Sequence, residues 1–278
     1  MPELPEVETV RRSLVPVVLN KRIEAVEILY PRILQGVDEE DVRDVLVGSE
    51  FTALSRRGKY LIFELLEEWE LIAHLRMTGR LIFYSNGEIP LAKHTSALFD
   101  FGDDGQLRFE DVRKFATLNL VKKGNYEQIR GLFTLGIEPL SADFTVEAFS
   151  QMLEGRQATI KGLLLDQTKV AGLGNIYVDE SLFAAQIHPE RAAGSLTDVE
   201  KERLHQAITA VLEDAIANQG PTISDYRTGY GQEGTFQNKL LIYGKKGELC
   251  PRCQAPIEHT KVAGRTSHYC PRCQVTKV

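Results

Sequence analysis

Short apolar runs separated by turn residues fill the first half of the chain, and longer helical periods fill the second. Apolar positions spaced three and four apart from residue 6 to about residue 19 predict a first helix, with Pro5 at its start. From residue 22 to 121 the pattern changes to runs at 23–29, 60–65, 71–75, 81–84, 97–101 and 107–109. Turn signals at Ser85-Asn86-Gly87 and Asp103-Asp104-Gly105 break them. Short strands at that spacing predict an antiparallel sandwich rather than alternating strand–helix units. Residues 131–141, with Gly136 and Pro139, read as a linker. Beyond it, helices are predicted over 145–153, 157–165, 175–185 and 197–218. The third follows the turn Ala171-Gly172-Leu173-Gly174; the last opens on the capping pair Thr197 and Glu200 and closes at Gly220. Residues 220–234 are polar and glycine-rich and read as a mobile loop. There is no internal repeat. The expectation is a multidomain α+β chain: a β-sandwich with flanking helices over 2–132, a helical domain over 133–235, and a small tail over 236–278.

Composition adds limits rather than detail. The 278 residues, 43% of them hydrophobic, suffice for a sizeable core. The start is charged, and no apolar run approaches the roughly 20 residues of a membrane-spanning helix. A cytoplasmic protein without a membrane span is expected. A net charge of −6 argues on its face against a polyanionic partner. The distribution changes that. From Lys239 to the end there are eight basic residues (Lys239, Lys245, Lys246, Arg252, Lys261, Arg265, Arg272 and Lys277) against Glu248 and Glu258. Further basic sets lie at Arg56, Arg57 and Lys59, and at Arg108, Arg113 and Lys114. Local fields, not net charge, steer a polyanion to a groove.

The tail carries the clearest metal signal. Cys250 and Cys253 form one Cys-Pro-Arg-Cys knuckle, and Cys270 and Cys273 form a second after sixteen residues. Two such knuckles at that spacing can surround one zinc ion with four thiolates. The alternatives are a pair of disulfides or four ordinary free thiols; reducing cytoplasmic conditions and the paired knuckle spacing disfavour them. Four sulfurs leave no open position for water, so the metal's role is structural: it would hold together a tail too small to fold on its own core. Between the knuckles, residues 262–267 read as a hairpin tip, from which Arg265 would project a planar cation suited to a phosphate.

The amino terminus carries the clearest covalent chemistry. Pro2-Glu3-Leu4-Pro5-Glu6-Val7-Glu8 places two prolines and three carboxylates directly after Met1. Removal of Met1 would free the Pro2 ring nitrogen as a secondary amine, which condenses with an aldehyde-level carbon to an iminium. An α-amino group has a reference pKa of about 7.7–8.0, so a useful fraction is neutral and nucleophilic near pH 7. Glu3, one peptide away, could move a proton. The alternative is a plain helix start, with prolines and acidic residues at its positive end.

Taken together, the Pro-Glu-Leu-Pro-Glu-Val-Glu start, the predicted sandwich, the Gly172-Leu173-Gly174-Asn175-Ile176-Tyr177 turn and the four-cysteine tail resemble the formamidopyrimidine-DNA glycosylases over the whole chain. Leu4 resembles that branch; the related endonuclease VIII branch usually has glycine there. The resemblance implies a β-sandwich, a helix–two-turn–helix domain with a lesion-recognition loop, and a C-terminal zinc finger of four cysteines. It implies an enzyme that releases oxidised purines from duplex DNA, acts as a monomer and works on the nucleoid. Pro2 would attack deoxyribose C1′ and form a Schiff base, Glu3 would transfer a proton at the sugar ring oxygen, and Glu6 would support the terminus. Lys59 and Arg265 match family cations at the phosphates beside the lesion, linked to the first and second strand eliminations.

Met77, Arg113 and Phe115 match the side chains that fill the space left by an extruded base. Here the family's common Asp-Pro-Arg-Arg-Phe-Gly reads Asp111-Val112-Arg113-Lys114-Phe115-Ala116, without its proline and glycine. His74, His94, Arg156 and Asn175 match other DNA-contact positions. In the recognition loop, Gln219-Gly220-Pro221-Thr222-Ile223-Ser224-Asp225 stands where the family often has Gly-Gly-Thr-Thr-Leu-Arg-Asp; Pro221 removes an amide there and stiffens the approach. The competing readings are an endonuclease VIII-like enzyme for oxidised pyrimidines, a zinc protein that binds DNA without catalysis, and an amino-terminal-proline tautomerase. Chains of the last kind are typically shorter and lack a zinc tail.

Overall fold

The computed structural model describes residues 1–66, 68–85, 89–221 and 228–276. Asn86 and Gly87 of the first predicted turn, and Thr222 to Asp225 of the recognition loop, lie outside the described residues. The chain folds as two compact units, Met1–Phe133 with Asn218–Gln237, and Thr134–Ala217 with Asn238–Val278.

The first unit opens with helix α1 (Leu4–Val18), two residues earlier than its apolar period predicts. Pro5 falls in the first turn, where its missing amide hydrogen has no intrahelical partner to lose. The order then runs β1 (Ala25–Ile28), α2 (Glu39–Leu46), β2 (Phe51–Arg57), β3 (Tyr60–Leu65), β4 (Trp69–His74), β5 (Gly79–Tyr84), β6 (Thr95–Asp100), β7 (Gln106–Asp111), β8 (Thr117–Lys122) and the short α3 (Arg130–Phe133). Two four-stranded antiparallel sheets result, in the orders β1-β6-β7-β5 and β2-β3-β4-β8. Their inner faces meet in one core. Phe51 of β2 lies 4.9 Å from the Phe63 ring on its own sheet and meets Phe99 and Phe101 opposite edge-on, at 6.2 and 6.3 Å. Helix α1 packs on β2, β3 and β5, which fixes the amino terminus to both sheets.

Four elements escape the apolar pattern, among them the short α3, which falls partly in the stretch 131–141 read as a linker. Strand β2 has a register shift between Phe51 and Ala53 that breaks its alternation, and it ends in Ser55-Arg56-Arg57. Strand β8 alternates as Thr-Leu-Asn-Leu-Val-Lys, but over only six residues. Helix α2 buries only Val42 and Leu46; what defines it is the Asp38 cap, whose carboxylate accepts from the Asp41 amide, and three acidic residues in its first turn.

In the second unit come α4 (Val146–Leu153), α5 (Ile160–Leu165), α6 (Asn175–Ala184), α7 (Asp198–Ala217), and the hairpin β9 (Glu258–Val262) and β10 (Arg265–Tyr269). Helix α5 starts three residues later than predicted. Residues 158 and 159 are committed to residues 192 and 193, and Thr159 caps the helix by accepting from the Gly162 amide. The Thr197–Glu200 capping box forms as read, with the Glu200 carboxylate also taking a salt bridge from Arg191 at 2.7 Å. Helix α6 is buried on nearly every side, as a central helix must be. The cysteine tail shares its core with α6: Phe183 and Ile242 cluster with Cys250, Ile257 and Cys270.

Candidate active site and nucleic-acid interface

In the first unit the site is built from the start of α1 and three strand connections. Pro2 is buried, and so are Glu3 (4% exposed) and Glu6 (2%). Glu3 is the N-cap. Its amide donates to Glu6 Oε2 at 2.6 Å, and its carboxylate takes the Glu6 amide in return. Gly220 explains part of that burial. Its left-handed backbone (φ +68) passes so close to Glu6 that a Cβ would sit 2.7 Å from the carboxylate. Glycine is required there on both counts.

A second tie runs from α1 to the turn before Lys59. The Glu8 carboxylate accepts from Arg56 Nε at 3.2 Å, and Arg56 Nη1 donates to the Gly58 carbonyl at 2.9 Å. Burial alone would raise the Glu8 carboxyl; hydrogen bonds from Arg11 and Arg12 and the charges of Arg11 and Arg56 outweigh it and hold the group at about 2. Lys59 is itself buried (7% exposed), at the head of β3.

His74 ends β4, with its ring edge-on to Tyr60 at 4.4 Å. Its Nδ1 accepts from the Arg76 amide at 2.9 Å, which leaves Nε2 to carry the proton. Burial first, and then the charges of Arg76 and Lys59, push the imidazole down to about 3, so it is a neutral donor near pH 7.

The three residues matched to the void-filling role meet on two loop tips. Met77 and Phe115 are exposed (41% and 51%), and Arg113 bridges them: Nη1 donates to Met77 Sδ at 3.1 Å, and the guanidinium lies 4.9 Å from the Phe115 ring centre. Both tips carry a left-handed cationic residue, Arg76 (φ 55) and Lys114 (φ 57). An open cleft of about 530 Å³ is lined by Met1, Arg32, Gln35, Arg76, Met77, Lys114 and Phe115 among others. The amino terminus and the exposed wedge therefore border one space.

Asp111, which the sequence offered only as the first letter of a motif, organises this wedge. It is 1% exposed. Oδ1 accepts from Thr78 Oγ1 on one tip and from the Arg113 amide on the other, and Oδ2 accepts from the amides of Phe115 (2.6 Å) and Ala116 (2.8 Å). The Asp111 amide donates to the His94 carbonyl, which places His94 beside the same loop. This carboxylate and the left-handed Lys114 set the shape of a tip that carries neither the proline nor the glycine. Asp111→Ala is expected to cost about 2 kcal/mol, because several buried donors lose their acceptor. It should also blunt discrimination between bases opposite a lesion. Thermal unfolding and single-turnover rates on duplexes with each opposite base measure both; unchanged discrimination would contradict this role.

Arg108 corrects the charge reading. It is buried (1% exposed), donates to the Ile89 and Pro90 carbonyls and to Gln106, and stacks 4.3 Å from the Tyr84 ring centre. It serves the sheet rather than a surface for polyanions.

In the second unit, the Gly172–Gly174 turn leads into α6. Gly172 is left-handed (φ 89), and Gln167 fastens the turn by accepting from its amide and donating to the Leu173 carbonyl. Asn175, the first residue of α6, donates from Nδ2 to the Thr266 carbonyl at 2.9 Å. Arg265 is exposed at the head of β10, just after the left-handed pair Ala263 and Gly264. Arg156 is exposed on the α4–α5 connection, where a Cβ on Gly194 would come 2.8 Å from its amide nitrogen.

The four cysteine sulfurs lie within 4.8 Å of one another. Cys253 and Cys270 are 3.4 Å apart, and Cys250 and Cys273 3.9 Å. Tetrahedral zinc with Zn–S of about 2.3 Å needs sulfurs roughly 3.8 Å apart, so the donor set fits one zinc ion of structural type. The Ala255 amide, pointed at Cys253, helps draw that thiol down to about 7.

Comparison with known proteins agrees with this geometry. Residues 1–118 match the formamidopyrimidine-DNA glycosylase N-terminal domain, 135–227 its H2TH domain, and 247–275 the zinc finger found in FPG and IleRS. A formamidopyrimidine-DNA glycosylase of Moorella thermoacetica is 48% identical over 94% of this chain and 95% of that protein. One from Brevibacillus brevis is 47% identical over 96% and 97%. Among solved structures, a Lactococcus lactis FPG mutant in complex with Fapy-dG-containing DNA superposes with a TM-score of 0.91 at 42% identity, covering 99% of this chain and all of that one. MutM in complex with carbocyclic 8-oxo-G-containing DNA gives 0.90 at 42% identity and the same coverage. The chain belongs to the formamidopyrimidine-DNA glycosylase family, and it is a three-segment member with a four-cysteine zinc finger. Among the described residues no helix is long and apolar enough to cross a membrane.

Proposed function

We propose that this protein is a base-excision DNA glycosylase with abasic-site lyase activity, acting as a monomer on damaged duplex DNA in the cytoplasm. After removal of Met1, the Pro2 nitrogen lone pair bonds to deoxyribose C1′. The glycosidic bond breaks and its electrons leave with the base, which takes up the proton that the Pro2 nitrogen sheds to regain its lone pair. The sugar ring then opens: the C1′–O4′ electrons pass to O4′, Glu3 delivers a proton there, and an iminium links Pro2 to C1′. Loss of a C2′ proton expels the 3′ phosphate, and loss of the C4′ proton expels the 5′ phosphate. Lys59 and Arg265 hold the flanking phosphates, and Glu6 holds the terminus through the Glu3 amide.

Extruding a base costs a few kcal/mol, and Met77, Arg113 and Phe115 offset it by filling the gap. His74, His94, Arg156 and Asn175 contact the backbone. The observation that carries this reading is the shared cleft: Met1 lines the same space as Met77 and Phe115. Oxidised purines are the substrates in this reading. Duplexes carrying 8-oxoguanine, a formamidopyrimidine or thymine glycol, with and without borohydride, test it. The two purine lesions should be released faster, and each should give a covalent adduct. Preferential release of thymine glycol would point to the pyrimidine-directed alternative, and binding without any adduct to a non-catalytic zinc protein.

A further inference from the structure

Helices α5 and α6 hold between them an ion pair that the chemistry above does not use. Lys161 and Asp179 side chains are both fully buried, with Lys161 Nζ donating to Asp179 Oδ1 at 2.7 Å. Removing two charges from water costs several kcal/mol per ion, and an apolar pair of similar volume often serves stability as well or better. What this pair does that an apolar pair could not is grip backbone. Lys161 Nζ also donates to the Thr266 carbonyl at 3.0 Å, and Asp179 Oδ2 accepts from the His268 amide at 2.9 Å. These two backbone groups are two residues apart on β10, so they face the same side of the strand. Asn175 Nδ2 reaches the same Thr266 carbonyl. The hairpin tip is seated too: a Cβ on Gly162 of α5 would lie 3.5 Å from the Ala263 Cβ. The residue between that tip and that clamped carbonyl is Arg265.

We propose that Asp179, paired with Lys161, is a positioning residue for Arg265, clamping β10 so that the guanidinium is presented at a fixed place to a phosphate. This rests on the reading of Arg265 as the cation of the second elimination. The clamp works on backbone and needs no particular side chain at Thr266; at His268 the ring also stands close, with Nδ1 3.4 Å from Asp179 Oδ2. It does need a carboxylate at residue 179. An asparagine there would turn an amide N–H toward either the Lys161 ammonium or the His268 amide, and one of the two contacts must open.

The test uses full-length, zinc-loaded protein with Met1 removed, an 8-oxoguanine duplex to read base release, a duplex carrying an abasic site, and single-turnover separation of the first-elimination and second-elimination products. Asp179→Asn should lower thermal stability, because the Lys161 ammonium is left buried without its counter-charge, yet retain zinc and keep base release nearly unchanged. It should slow the second elimination by between about 10- and 100-fold, the order that a misplacement of about 1 Å costs. Combined with Arg265→Ala it should add little further loss, because both changes remove one interaction. A normal second elimination in Asp179→Asn, an equal slowing of every step, or losses that multiply in the double variant would each overturn the proposal. Arg265→Ala alone separates the two claims: if it leaves the second elimination intact, the reading of Arg265 fails and the clamp with it; if only Arg265→Ala slows that step, the clamp alone fails. Should Asp179→Asn lose zinc, the neutral pair Lys161→Gln with Asp179→Asn replaces it. Glutamine is shorter than lysine and cannot span to Thr266, so the same selective loss is expected, and a parental product pattern would overturn the proposal.

Discussion

Keeping Met1 in place is expected to lower base release from an 8-oxoguanine duplex by at least about 10³-fold, the order seen when a covalent nucleophile is removed. With Met1 attached, the Pro2 nitrogen belongs to an amide and has no lone pair to give. Pro2→Gly should also lose most activity, though for a different reason. It leaves a primary amine, which must shed a further proton to complete a neutral imine and lacks the ring that fixes the backbone entering α1. DNA binding should change little in either variant, because the wedge of Met77, Arg113 and Phe115 is held by Asp111 and not by the terminus. A loss of rate with retained binding is the signature to look for in single-turnover kinetics and titrations. A parental rate in protein that demonstrably retains Met1 would contradict the covalent reading.

The second large effect concerns the metal. Cys253→Ser is expected to abolish stoichiometric zinc and weaken binding to abasic-site duplex together. Structural zinc supplies on the order of 10–16 kcal/mol of apparent binding free energy in finger peptides, which a tail of this size cannot replace from packing. The loss should nevertheless be local. Phe183 of α6 is the tail's apolar neighbour in that cluster, whereas α7 packs on α4 and α6. Amide hydrogen exchange should therefore show β9 and β10 unprotected while α7 keeps its protection. Metal analysis reads the first part and exchange the second. A zinc-free variant with a protected hairpin and parental affinity would contradict the structural role.

How far the amino-acid sequence alone revealed these features depended on whether a residue's partner was close in sequence. The Thr197 cap, the α6 start and the paired cysteine knuckles are local patterns, and each formed where expected. Strand β3 was also placed to the residue, because only Glu64 interrupts its apolar run. Strand β2 was missed because a bulge hides its alternation, although Asp38 had offered a readable cap for the missed helix α2. Spatial features were not readable at all. Nothing near Arg108 in sequence announced that its guanidinium would be sunk among the carbonyls of residues 89 and 90. Gly220 reads as a helix stop, yet its closest demand comes from Glu6, more than two hundred residues earlier. Asp111 and Asp179 belong to the same class: carboxylates whose role is to hold backbone amides, visible only once the chain is folded.

The measurement that bears most directly on the covalent reading is mass spectrometry of the borohydride-trapped protein–DNA adduct after proteolysis. The reduced sugar should be found on the nitrogen of Pro2, in a terminal peptide that has lost Met1. An adduct on a lysine such as Lys59, or a trapped peptide that still begins with Met1, would contradict it.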